Sequence, residues 1–137
     1  MAARAEGYVD TSALIAFSDR SDTHHALFRR LFASPPPLLT TSLVVAEGHA
    51  WFLRRYDRTR ALHFLAMVED MTPLEVAPVG PREQEAATLL LRRFADQDLT
   101  LTDAVGLHIM TARRIRSAWS TDFHLRLTGV PLVLDAH

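Results

Sequence analysis

The chain contains no cysteine, so neither a disulfide framework nor a thiolate metal site can form. Lysine is missing too, and all 15 basic residues are arginine. That excludes any mechanism that depends on a lysine side chain. The arginine bias itself has two readings: bidentate phosphate recognition by guanidinium groups, or codon bias in a GC-rich genome. No excess of positive charge accompanies it. The formal net charge is −1, which rules out arguing nucleic-acid binding from a global field. No apolar run is long enough to span a bilayer, and the opening MAARAEGYVD lacks the apolar core of a secretory signal. The expectation is a soluble cytoplasmic protein with no membrane contact.

What is present is ordinary globular composition. The 137 residues are 48% hydrophobic and 23% charged, consistent with a single domain over 1–137 that buries roughly two thirds of its unfolded surface. Short apolar stretches alternate with helical periodicity. Strands are expected at Gly7–Asp10, Leu38–Thr41, Leu74–Val79, Ser117–Thr121 and Pro131–Leu134. Pro78 within the third places it at a sheet edge, because proline cannot donate to the ladder. Helices are expected at Ser12–Phe17, His24–Ala33, Ser42–Tyr56, Arg58–Met71, Pro81–Ala95 and from a Thr102 cap to Ile115. A helical turn is expected at Asp122–Leu127. Strands alternating with helices predict an α/β protein, its parallel sheet covered on both faces.

Four acids stand out against this frame. Asp10 ends the first strand in YVDTSAL, and Asp122 follows the fourth in AWSTDFHL. In open parallel sheets ligands collect beyond the carboxyl ends of the strands, so both project toward one rim. Asp103 lies in the first turn of the helix in LTLTDAVGLHIM, and Glu47 sits within the apolar SLVVAEGHAWFL. Each also has a purely structural reading. Asp10 and Asp122 suit caps at strand-to-helix junctions, Asp103 complements a helix dipole, and Glu47 fits a solvated helix face. The seven histidines show no HxH or HExxH spacing. His49, His108 and His124 each fall near one of the four acids, as outer-shell or substrate-contacting candidates.

Taken in order, YVDTSAL, VVAEGHAWFLRR, DLTLTDA and STDFHL followed by Gly129 resemble the motifs of the PIN domain, in particular the VapC-type toxins of toxin–antitoxin modules. The resemblance runs nearly the full length. It implies a three-layer α/β/α fold with a central parallel sheet of about five short strands, and an acidic pocket at one end. It further implies a metal-dependent endoribonuclease acting on RNA, regulated by a cognate antitoxin. Asp10, Glu47, Asp103 and Asp122 match the four acids of the family. Thr11 or Ser12, and Thr121, match the hydroxyl positions beside them, and Asp96 is similar to an extra acid of some members.

The chemistry accords with that match. Cleaving an already anionic phosphodiester calls for a hard cation such as Mg²⁺, with Mn²⁺ able to substitute, and such cations select carboxylate and water oxygens. Asp10, Asp103 and Asp122 are the expected metal ligands, Asp122 directly or through water. Glu47 is expected to hold a second ion or orient the attacking water. A homodimer is the expected assembly.

Two rivals remain at this level. One is a catalytically silent PIN-like RNA-binding or scaffold module. The other is a phosphotransfer domain with Asp10 as phospho-acceptor. A receiver domain lacks its lysine here, and a dehalogenase-like phosphatase wants an acid where Ser12 stands.

Overall fold

The computed structural model describes residues 4–137. Four strands, β1 (Gly7–Val9), β2 (Leu38–Thr41), β3 (Leu74–Ala77) and β4 (Ser117–Trp119), form one sheet in the order β3-β2-β1-β4. All three pairings are parallel. Six helices connect them: α1 (Thr11–Ser18), α2 (His25–Leu31), α3 (Ser42–Arg55), α4 (Arg58–Asp70), α5 (Pro81–Arg93) and α6 (Leu101–Ala112). The helices pack as two groups, α1 to α4 and α5 with α6. Every residue of β1 and β2 is buried, as expected of parallel strands covered on both faces.

The helix starts follow from local chemistry. Thr41 Oγ1 accepts from the Val44 amide to cap α3, and Asp57 Oδ1 accepts from the Arg60 amide at 2.8 Å to cap α4. Pro81 occupies the first turn of α5 while Glu83 reaches back to the Gly80 amide at 3.0 Å. At α6 the cap is Thr100, not the expected Thr102. Thr100 Oγ1 accepts from the Asp103 amide and Asp103 Oδ2 accepts from the Thr100 amide, each at 3.1 Å. This reciprocal pair satisfies two orphan donors at once, so it starts the helix two residues early.

The sheet has four strands rather than about five. The expected Pro131–Leu134 strand makes a single parallel bridge, Ala118 to Leu132. Pro131 offers only its carbonyl, which accepts from the Ala118 amide at 2.9 Å. The next amide is diverted, because Leu132 N donates to the Asp135 carboxylate at 2.9 Å and the chain turns into a short 3₁₀ helix, Val133–Ala136. Strand β3 is the edge strand, as expected, but it stops at Ala77, so Pro78 ends the ladder instead of interrupting it.

One buried acid outside the four has a structural role. Asp19, only 3% exposed, accepts from the Ser21 amide and hydroxyl at 3.0 and 2.8 Å and from the Tyr56 hydroxyl at 3.0 Å. Burial works against its charge, but these donors and Arg60 outweigh it and hold the carboxyl below its ordinary pKa. It ties the end of α1 to the end of α3.

Close approach of α3 and α4 depends on Gly48. A methyl group there would stand 2.3 Å from Phe64 Cζ, and Phe64 is buried against Phe52 with ring centroids 5.2 Å apart. Gly48→Ala would gain up to about 1 kcal/mol of helix propensity. The overpacking outweighs that gain, and a net loss of about 1–3 kcal/mol is expected in urea unfolding. Partial recovery in Gly48→Ala/Phe64→Leu would attribute the loss to this contact.

Candidate metal centre

Strand order reverses at β1: the chain moves outward through β2 and β3, then returns to place β4 on the other side. The carboxyl ends of β1 and β4 therefore flank a topological switch point, where ligands bind in this class of sheet. The β1–β4 register pairs Val9 with Trp119, so Asp10 and Ser120 emerge side by side. The Asp10 amide continues the ladder to the Trp119 carbonyl at 3.0 Å.

Two serines lock this corner. Ser12 and Ser120 hydroxyls donate to Asp10 Oδ2 at 3.2 and 3.0 Å, and the two hydroxyl oxygens lie 3.1 Å apart. They also accept amides from the chain that follows β4: Thr121 N reaches Ser12 Oγ at 3.0 Å, and Asp122 N reaches Ser120 Oγ at 2.9 Å. Ser12 rather than Thr11 is thus the hydroxyl beside Asp10. On the other side a second hydroxyl comes from Ser120, because the ladder sets Ser120 level with Asp10. The motif alone did not contain that register.

Asp122 begins the 3₁₀ turn Phe123–Arg126, and its Oδ1 accepts from the His124 amide at 3.0 Å. His124 Nδ1 lies 3.0 Å from the same oxygen. Asp103, 7% exposed in the first turn of α6, brings a carboxylate to this pair. Among the described residues, Asp103, Asp122 and His124 offer ligand atoms all within 4.8 Å of one another. Asp10 and Glu47 stand outside that close group but within its electric field. Glu47 is half-buried on α3, whereas Asp96 is exposed in the turn after α5.

The charges are crowded and uncompensated. Burial, then the Asp103 charge, push the Asp10 carboxyl up to about 6, with Asp122 adding to them and the Ser120 hydrogen bond opposing. Asp103 is raised as well, chiefly by burial and further by Asp122 and Glu47, against its bonds to Thr100. The phenol of Tyr8, buried on β1 against Gly106 of α6, is raised by burial and by Asp10, Asp103 and Glu47. Among the described residues no arginine pairs with Asp10, Glu47, Asp103 or Asp122. Hard oxygen donors around an unneutralised negative potential are the donor set a divalent cation requires. Beside them Phe123 is 67% exposed, with the Arg126 guanidinium 4.8 Å from its ring centroid.

Residues 7–129 match the sequence model of the PIN domain. The chain belongs to the PIN domain family. Within this PIN family, the 23S rRNA-specific endonuclease VapC20 of Mycobacterium tuberculosis is 31% identical over 123 residues, covering 89% of this chain and 93% of that one. The crystal structure of VapC20, described as a Sarcin-Ricin loop cleaving toxin, superposes with a TM-score of 0.83 at 27% identity, over 90% of this chain and 95% of that one. A toxin–antitoxin complex from Klebsiella pneumoniae shares the fold, with a TM-score of 0.63 at 15% identity over 93% and 96% of the two chains.

The crowding has a measurable consequence in chelator-treated protein. The folded state holds the Asp10 proton more tightly than the unfolded chain does, because its pKa rises from 3.8 to about 6. Its contribution to stability is therefore complete below pH 4 and is lost as pH climbs through about 6. Asp10→Asn keeps an acceptor for both serines and removes the charge. At pH 7.5 the variant is expected to be about 1–3 kcal/mol more stable than wild type, with the advantage vanishing by pH 4. Urea unfolding at the two pH values checks this; a variant less stable at both would mark Asp10 as a helix cap first.

Proposed function

We propose that this single PIN domain, residues 1–137, is a divalent-metal-dependent endoribonuclease and the toxin of a toxin–antitoxin pair. The observation that carries the reading is the uncompensated acidic group at the switch point, Asp103 and Asp122 with Asp10 and Glu47 around them. A structural role alone would not gather four acids, two of them buried and raised in pKa, with no arginine paired to any of them among the described residues. The identity to an endonuclease across most of both chains supports the same conclusion.

In this reading Asp10, Asp103 and Asp122 hold the cation, Mg²⁺ or Mn²⁺ in its place, with Asp122 direct or through water. When bound, the cation would offset the negative charge of the phosphodiester and make water more acidic. The serines keep Asp10 in a single orientation by donating to Oδ2, and the Thr100 amide does the same for Asp103. Glu47, half-buried on α3, orients the attacking water or takes a second ion. Phe123 presents an exposed face at the rim, a platform for an unpaired base.

Ribosomal RNA is the first substrate to test, since the curated relative is specific for 23S rRNA. The toxin–antitoxin neighbour supports an antitoxin partner, and we extend the proposal to a cytoplasmic homodimer. Among the described residues no helix is long and apolar enough to cross a membrane.

Purified protein should cut ribosomal RNA with Mg²⁺ or Mn²⁺ and lose activity in EDTA; equal cleavage with chelator would overturn the assignment. Asp103→Asn and Asp122→Asn should each lower cleavage by more than about 100-fold, beyond the 10–100-fold typical of outer-shell partners. Phe123→Ala is expected to raise KM about 5- to 150-fold, the range for loss of one stacked base, with kcat little changed. An unchanged KM would leave Phe123 as bystander surface. Co-expression with the product of the adjacent reading frame should yield an inactive complex.

A further inference from the structure

The acidic centre of this chain carries a nitrogen donor, and nothing in the nuclease reading above makes use of it. His124 Nδ1 stands 3.0 Å from Asp122 Oδ1. The cis edge of an octahedron with bonds of 2.1 Å is about 3.0 Å and its diagonal about 4.2 Å. The three ligand atoms of Asp103, Asp122 and His124, all within 4.8 Å of one another, fit such a polyhedron after a small contraction. His124 is half-buried, so its ring faces the site without being sealed from an incoming ion.

The alternative is that His124 only steers Asp122. The backbone already does that work. Asp122 Oδ1 accepts from the His124 amide at 3.0 Å, and the Asp122 amide donates to Ser120 Oγ at 2.9 Å. The turn would therefore hold the carboxylate in place whatever side chain follows at position 124. The imidazole adds little to Asp122 as an orienting group, but a great deal as a ligand of different character.

We propose that His124 is a direct ligand of the catalytic cation, and that it tunes the centre toward first-row transition cations, Mn²⁺ among them, over Mg²⁺. The proposal rests on the metal-nuclease reading and adds a ligand to it. Mg²⁺ prefers oxygen donors and gains little from an imidazole, whereas transition cations bind one well. A centre of two or three carboxylates and one histidine therefore discriminates between ions that an all-oxygen centre would treat more alike.

The test compares wild type with His124→Gln and His124→Ala, using Mn²⁺ alone and Mg²⁺ alone as probes. Affinities come from calorimetric titration, and pulsed electron paramagnetic resonance reports whether a ¹⁴N nucleus is bound to Mn²⁺. Wild type is expected to bind Mn²⁺ at least tenfold more tightly than Mg²⁺ and to show imidazole nitrogen coupling. Both variants should lose the coupling and at least tenfold in Mn²⁺ affinity, with less than threefold change for Mg²⁺. Unfolding curves of the metal-free variants that overlay wild type show that the fold is intact. The nitrogen coupling in wild type needs no variant, so a misfolded mutant cannot rescue or sink the idea. Mn²⁺ binding and RNA cleavage without nitrogen coupling would overturn the His124 ligand alone. An equal loss for both ions in the variants would reduce His124 to a positioning residue. If wild type binds neither ion and cuts no RNA, the metal-nuclease reading itself fails and takes this inference with it.

Discussion

The parallel ladder between β1 and β4 is the constraint on which the rest of this structure depends. It pairs Val9 with Trp119 and so sets Asp10 level with Ser120, 110 residues away in the chain. From that one register follow the two serine bonds to Asp10, the amide bonds that fold the next turn, and the position of Asp122. A slip of one residue would send every side chain of β4 to the opposite face. Ser120 would then point away from Asp10, and the turn carrying Asp122 would lose its anchor. The core behind the ladder, with Tyr8, Val9, Ala118 and Trp119 all buried, makes that slip costly.

The same corner is held together against its own charge. Asp10 and Asp103 sit largely out of water, each raised by its neighbours, with no arginine brought in to relieve them. The chain has 15 arginines, yet the described ion pairs involving them, Arg113 with Glu75 and Arg126 with Asp135, engage none of the four acids. Folding leaves a negative potential at one rim, and neutral donors, hydroxyls and amides, preserve geometry without cancelling it. That is what a cation-dependent site requires: groups fixed in place beforehand whose repulsion falls when the ion arrives. The site thereby carries a standing cost in the metal-free protein, of the sort that active sites commonly carry.

Much of the architecture was legible before any coordinates. The alternation of short apolar stretches with helical periodicity identified every strand of the sheet; the reason is plainest for β1 and β2, which are buried throughout. Proline and glycine marked the boundaries, and Pro78 marked the edge. The errors cluster where side chains compete for backbone amides. Thr100 takes the Asp103 amide and starts α6 early. Asp135 takes the Leu132 amide and turns a would-be fifth strand into a bridge and a 3₁₀ helix. Periodicity does not register such competition, since it counts apolar faces and not donors.

The site divides along a similar line. Sequence by itself determined the chemical character: four acids at element ends or inside an apolar helix, no lysine, no thiol, and motifs in family order. Those features depend on residue type and local spacing, which a linear text carries in full. Tertiary structure decided which groups meet. It put the hydroxyls of Ser12 and Ser120 on Asp10, drew His124 to within 3.0 Å of Asp122, and left Phe123 exposed at the rim. Each of these turns on sheet register or on the handedness of one short turn. Sheet register arises only when distant segments pair, and the local turn at Asp122–His124 is itself fixed by amide bonds to Ser12 and Ser120.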